Sequence, residues 1–181
     1  MTGGIACGKS LLAEFLHELG VETIDADDIV HELIPADERR RIADEIFHDP
    51  VKRKELEDRI HPLVRARLDL FASQPVDGAT RTEFRIEIIP LLFECHWEPE
   101  YDIIICVSSP RSLQIGRMVC ARGYTEEQAE ARIAAQLPVE EKAARSDYVI
   151  VNDGSAENLK DQATKLVAWL KGRKDGRREN R

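Results

Sequence analysis

Leu12, Phe15, Leu16 and Leu19 stand three and four positions apart, so on a helix they share one apolar face, and Gly20 follows where such a helix stops. Residues 21–26 then read as a short strand closed by Asp27 and Asp28, and a second helical pattern continues through Leu33 until Pro35 interrupts it. Between 37 and 72 the chain is charged and periodic, with Ile42, Ile46, Leu56, Ile60, Leu63, Val64 and Leu68 as apolar positions. This pattern predicts helices broken near Asp49-Pro50 and again near His61-Pro62, because a proline removes an amide donor. Residues 74–79, with Pro75 and Gly78, read as a polar loop.

Strands are expected at 84–89 and 102–107. The second includes the unbroken apolar run Ile103-Ile104-Ile105-Cys106-Val107, the pattern of a strand covered on both faces. A helix over 112–122 ends at Gly123, and Thr125 with Gln128 makes a capping box for another that runs through Gln136, before Pro138. The last strand covers 148–152. Gly154 and Ser155 then turn the chain into an amphipathic helix carrying Leu159, Ala163, Leu166 and Leu170. Strands alternating with helices predict an α/β protein, a parallel sheet flanked by helices and joined by short right-handed connections.

One segment adds chemistry to this frame. Gly3-Gly4-Ile5-Ala6-Cys7-Gly8-Lys9-Ser10 fits the phosphate-loop pattern G-x-x-x-x-G-K-S/T, and the first amphipathic helix follows it directly. In such a loop, successive backbone N–H groups turn inward around an anion and the lysine reaches the outer phosphates. The serine hydroxyl ligates magnesium. Gly4, Ala6, Cys7, Gly8, Lys9, Ser10 and Leu11 are therefore the expected triphosphate contacts, with a nucleoside triphosphate and Mg2+ as ligands and Ser10 as the metal donor. Only Met1 and Thr2 precede Gly3, where an apolar strand ordinarily feeds the loop, so the sheet is expected to lack that strand. Cys7 lies at a helix N-terminus beside Lys9, surroundings that favour a thiolate, although a small filler residue would serve equally there.

Composition narrows the setting. A chain of 181 residues suits one domain over 1–181 with a sizeable core. Hydrophobic content of 43% and charged content of 33% describe a soluble globular protein. No apolar run reaches membrane-span length and no signal peptide is evident, so the cytoplasm is the expected location and no membrane partner is expected. Cys7, Cys95, Cys106 and Cys120 lack zinc spacing and read as reduced thiols. A net charge of −8 argues against nucleic acid as a partner. Cations gather locally at Arg111, Arg117, Arg122 and Arg132, with Lys142 and Arg145 beyond. A basic tail at 171–181 reads as a solubilising end.

The motifs in order resemble the dephospho-coenzyme A kinase family. They are TGGIACGKS at 2–10, IDAD at 24–27, FHDP and LEDRIHP within 47–62, and IPLLFE at 89–94. After them come 114–117 with 122–123, EEQAEARIAAQ at 126–136, and DYVIVNDGS at 147–155. The resemblance implies a P-loop NTPase-type three-layer fold with a helical acceptor-side insert near 28–73 and a helical lid near 111–146. It implies ATP-dependent phosphorylation of the ribose 3′-hydroxyl of dephospho-CoA, with dephospho-CoA and ATP as small-molecule partners. Asp27 is then the base, with Asp25 its rival or a second carboxylate for magnesium. Arg117 and Arg122, with Lys9, are the catalytic cations, and Arg132 comes next. His61, Glu94 and Arg132 join Asp27 on the substrate side, and Asn152 lies near the adenine. Family members also carry a strand before the TGG and a longer stretch where this chain has only 35–46. Leu11 stands where they often have Thr.

Other readings stay open from the residues alone. Asp27 could cap the following helix, and the arginines could form a solvated helix face. The scaffold could serve another small-molecule kinase or a non-catalytic nucleotide binder. Guanine-reading N-K-x-D and the LSGGQ signature are absent, which disfavours a signalling GTPase and an ABC-type ATPase.

Overall fold

The computed structural model describes residues 1–35, 37–39, 42, 49–74 and 83–173. The shortened 35–46 stretch, Phe47 and His48 of FHDP, the 74–79 loop and the basic tail therefore lie wholly or largely outside the described residues.

Among the described residues, five short parallel strands form the centre: β1 (Thr2–Gly3), β2 (Glu22–Asp25), β3 (Arg85–Ile88), β4 (Ile105–Ser108) and β5 (Tyr148–Val151). β4 lies between β1 and β5, and β2 pairs with β3. The strand expected to be missing exists as a two-residue stub. Thr2 and Gly3 are buried and pair with Cys106 and Val107. On the other side, Ile89 N–H donates to Met1 O at 2.8 Å, and the Met1 amino group donates to Glu87 O. Met1 thus joins the two ladders in the lateral order β2, β3, β1, β4, β5. Burial by strands on both flanks makes the stub, and no apolar run is needed for two residues. Between β3 and β4 beside Met1 lies a groove of about 500 Å³ lined by Phe84, Ile86, Ile103, Ile105 and Leu170 among others.

Helices cover both faces, as the alternating pattern requires. On one, α1 (Lys9–Glu18) packs against α7 (Ala156–Gly172), burying Leu12 and Leu16 with Leu159, Ala163, Leu166 and Leu170 over Ile105, Val107 and Ile150. Each of these Leu, Ile and Val side chains contributes roughly 1.5–3 kcal/mol through burial. On the other, α2 (Ala26–Leu33) packs against α3 (Pro50–Ser73), where Ala26, Ile29, Val64 and Leu68 meet Ile89, Leu92, Phe93 and Ile104. Ile104 faces one layer while Ile105 and Val107 face the other, so the run from 103 to 107 is covered on both sides as expected.

Two expectations need correction. α3 runs without a break through His61 and Pro62 for 24 residues. Pro62 is exposed, so the amide it lacks lies on the solvent side while Val64 and Leu68 hold the buried side. The other proline does mark a boundary, for Asp49 caps the helix by accepting from Val51 N–H at 2.9 Å and Lys52 N–H at 3.1 Å. The second concerns 126–144: the helix expected through Gln136 ends at Ala134, and an unexpected α6 (Val139–Ala144) begins directly after Pro138. Between α3 and α6, α4 (Arg111–Arg122) and α5 (Glu126–Ala134) form a hairpin held by contacts between the two helices and by an Arg111–Glu130 ion pair. The Thr125–Gln128 capping box is present. Among the described residues, no helix is long and apolar enough to cross a membrane.

Candidate active site

The loop from Gly3 to Ser10 leaves β1 and enters α1, so its amides gather at the positive end of that helix. Gly8 has φ of 93°, a left-handed conformation, and a Cβ there would come within 2.3 Å of the Asn152 amide. Both facts demand glycine. The outward carbonyls are received by two residues just past strand ends, Ser109 and Asn152, and by Arg117 of α4. Arg117 donates to Ala6 O at 3.1 Å, and Asn152 Nδ2 donates to Cys7 O at 2.9 Å. Ser109 Oγ lies 3.4 Å from Cys7 O and donates to Asn152 O at 2.7 Å. Arg117 also donates to Ser109 Oγ at 2.9 Å and to Asn152 O at 3.0 Å. Ser109, unnoticed in the sequence, is the centre of this cradle.

Lys9 Nζ donates to Gly3 O at 3.1 Å and Gly4 O at 2.9 Å, folded back along its own loop. Burial pushes its ammonium below the usual lysine range, and Lys142 pushes the same way, while Asp27 and Asp25 favour the charged form. A bound phosphate would also favour the charged form. ATP affinity is therefore full below the lowered pKa of Lys9 and declines as pH rises through it. Calorimetric titration with ATP from pH 7 upward should show affinity falling well before free lysine titrates, by up to about tenfold per pH unit beyond that pKa. A flat profile to pH 10 would contradict it.

Asp25 ends β2 and caps α2, accepting from Asp27 N–H at 2.9 Å. The cap is Asp25, and Asp27 stands free of that duty in the first turn, exposed, with its charge acting on Lys9. Desolvation raises the pKa of Asp25, and the charges of Asp27 and Asp28 add to it, against the lowering effect of the Asp27 amide. The two carboxylates therefore differ in position and in environment.

The dephospho-CoA kinase family model matches residues 1–39 and 36–158, nearly the whole described chain. The chain belongs to the dephospho-CoA kinase family. A dephospho-CoA kinase of Anaeromyxobacter dehalogenans is 34% identical over 203 residues, covering 99% of this chain and 95% of its own. That of Syntrophotalea carbinolica is 33% identical over 196 residues, covering 94% and 90%. A crystal structure from Thermus thermophilus is similar with a TM-score of 0.75 at 32% identity, covering 93% of this chain and 95% of that one. The dephospho-CoA kinase from Campylobacter jejuni gives 0.66 at 26% identity, covering 94% and 96%.

The other residues picked out by the family resemblance fall into two groups. Near the P-loop, Ser10 and Leu11 are exposed on the first turn of α1. Arg122 is exposed at the end of α4, and among the described residues it takes part in no hydrogen bond or ion pair. Arg132 lies over the Tyr124 ring at 4.5 Å, within the hairpin. Arg117 and Asn152 contact the back of the P-loop as described. Cys7 is fully buried and receives the Gln114 amide at 2.8 Å, so only its backbone can face a ligand. Burial closes the side chain to a disulfide partner from solution and fits the small filler.

The second group faces α3 and the turn after β3. His61 meets the Trp97 ring edge-on at 5.2 Å, and Arg65 lies over the same ring at 4.9 Å. Glu94 pairs with Lys142 at 2.7 Å and accepts from Leu137 N–H at 2.9 Å, while its second oxygen is buried without a partner. Lys142 has no exposed surface and also donates to Pro90 O at 2.8 Å. A buried ammonium is tolerable only when so paired. No periodicity signal marks it, because a lysine in a short helix ordinarily reads as solvated.

Proposed function

We propose that this chain transfers the γ-phosphoryl group of ATP to the ribose 3′-hydroxyl of dephospho-CoA, giving CoA and ADP. The observation that carries the reading is a phosphate loop that enters the head of α1 beside β2, whose end and following turn carry Asp25 and Asp27, in a chain of this family. Phosphoryl transfer needs alignment and charge neutralisation more than covalent help from the protein. The loop amides and Lys9 hold the β- and γ-phosphates, Lys9 exchanging its carbonyl partners for phosphate oxygens. Asp27 accepts the proton of the 3′-hydroxyl and orients its oxygen toward phosphorus. Asp25 holds the Asp27 backbone through the cap.

The residue types suit a hard divalent cation, which takes oxygen donors: Ser10 is exposed at the head of α1, and Asp27 is exposed in the first turn of α2. Ser10 would hold Mg2+, with Asp25 or Asp27 beyond it, and the ion would offset phosphate charge. The α4–α5 hairpin acts as the lid, bringing Arg122 and then Arg132 to the triphosphate. Arg117 acts from behind by fixing the loop, and Asn152 shares that duty beside the purine. His61 and the second carboxylate oxygen of Glu94 serve the acceptor side, within an insert that includes α2 and α3. The reaction belongs in the cytosol, where both substrates are soluble.

ADP release measured in a coupled assay, with and without dephospho-CoA, tests the reading. The expected result is stimulation by dephospho-CoA and not by AMP, adenosine or pantetheine, with CoA as the product. Equal stimulation by another hydroxyl compound would assign a different acceptor. Nucleotide binding without any stimulated turnover would make the chain a non-catalytic relative.

A further inference from the structure

The rear of the α4–α5 hairpin is tied to the P-loop by a contact that the phosphoryl transfer itself does not use. Gln136, just beyond α5, accepts through Oε1 from Ile5 N–H at 3.0 Å. The next residue, Leu137, donates its N–H to Glu94, which Lys142 holds in turn. Lys142 reaches Pro90 O, and Thr2 Oγ1 reaches the same carbonyl at 3.2 Å. Two adjacent residues therefore anchor the hairpin in opposite directions, one to the P-loop and one to the turn after β3. A space of about 200 Å³ remains between the hairpin and the loop, bordered by Gly4, Ile5, Gln114, Ile133 and Gln136.

We infer that Gln136 is a positioning residue that fixes the lid to the P-loop and so sets where the lid arginines meet the transferring phosphoryl group. The carboxamide oxygen gives Ile5 N–H a protein acceptor, leaving the inward amides nearer α1 and Lys9 for phosphate. Loss of that acceptor leaves the α5 end of the lid held from the acceptor side, through Glu94 and Lys142, while α4 keeps its own ties to the loop through Arg117 and Gln114. The lid arginines then approach at the wrong distance, while the phosphate-holding part of the loop is unchanged. Misplacement of about 1 Å is enough to lower a rate by about 10². The effect therefore falls on kcat and spares ATP binding.

This inference rests on the proposed reaction, so wild-type turnover with dephospho-CoA is measured in the same series. Absence of wild-type turnover would sink that reading, whereas the inference about Gln136 is decided by how two variants differ from an active wild type. Q136L, similar in size but without an acceptor, should lower kcat about 10- to 100-fold with the KM for ATP within about threefold of wild type. Q136E keeps an acceptor for Ile5 N–H and adds a negative charge near the phosphates. It should raise the KM for ATP about tenfold or more and keep kcat within about threefold. Hydrogen exchange should show the Ile5 amide protected in wild type and Q136E and released in Q136L. Both variants moving the same kinetic parameter, or neither moving any, would overturn the assignment. If Q136L does not fold, a tenfold or greater fall of kcat in Q136E overturns it, and retained kcat with raised KM upholds it.

Discussion

Replacing Lys9 by alanine should lower kcat/KM by at least about 10³, the scale on which a cation aimed at transferring phosphate acts. The fold should survive. Among the described residues, Lys9 makes hydrogen bonds to Gly3 O and Gly4 O and belongs to neither apolar cluster. Removing a half-buried charge whose proton is held against desolvation also relieves a strain on the folded state. The purified variant should therefore show an unchanged far-UV spectrum and a melting temperature no lower than wild type. Turnover near the wild-type rate would mean that the loop does not hold the reacting phosphates.

Asp27→Asn should lower kcat by about 10² to 10⁴, the range of a positioned general base, with ATP affinity little changed. The companion variant makes this decisive. Asp25→Asn retains a side-chain oxygen for Asp27 N–H, and asparagine caps helices about as well as aspartate, so kcat should fall by less than about tenfold. Steady-state kinetics with dephospho-CoA varied at saturating ATP would read both. A larger loss in Asp25→Asn than in Asp27→Asn would transfer the base to the earlier carboxylate.

The apolar rhythm of α1 and α7 and the run from 103 to 107 were legible because their side chains are buried against the sheet, where spacing alone decides orientation. The P-loop and the Asp25–Asp27 step were legible because their chemistry depends on residue type at a fixed interval. What spacing cannot supply is a partner distant in the chain. Asn152 lies 145 residues from Cys7, whose carbonyl it holds, and Gln136 lies 131 residues from Ile5. The polar types at strand and helix ends were visible, but their acceptors were not. α6 escaped because six residues are too few for periodicity and its most buried side chain is a lysine. Pro62 misled because its effect depends on which side of α3 faces water. The stub strand misled because two residues flanked by paired strands need no hydrophobic signature of their own.

Arg117, Asn152 and Ser109 hold the outward carbonyls of Ala6 and Cys7 through contacts made wholly within the protein. The ordering entropy of this loop is therefore charged to folding and not to binding. Nucleotide association should accordingly show a small conformational penalty and an on-rate limited by encounter instead of loop rearrangement. The same arrangement separates contact from effect: substitutions at 109 or 152 would loosen the phosphate template and weaken ATP without removing any bond to its phosphates. An affinity screen over this chain would thus mark a second ring of sensitive positions behind the loop, reached through its carbonyls.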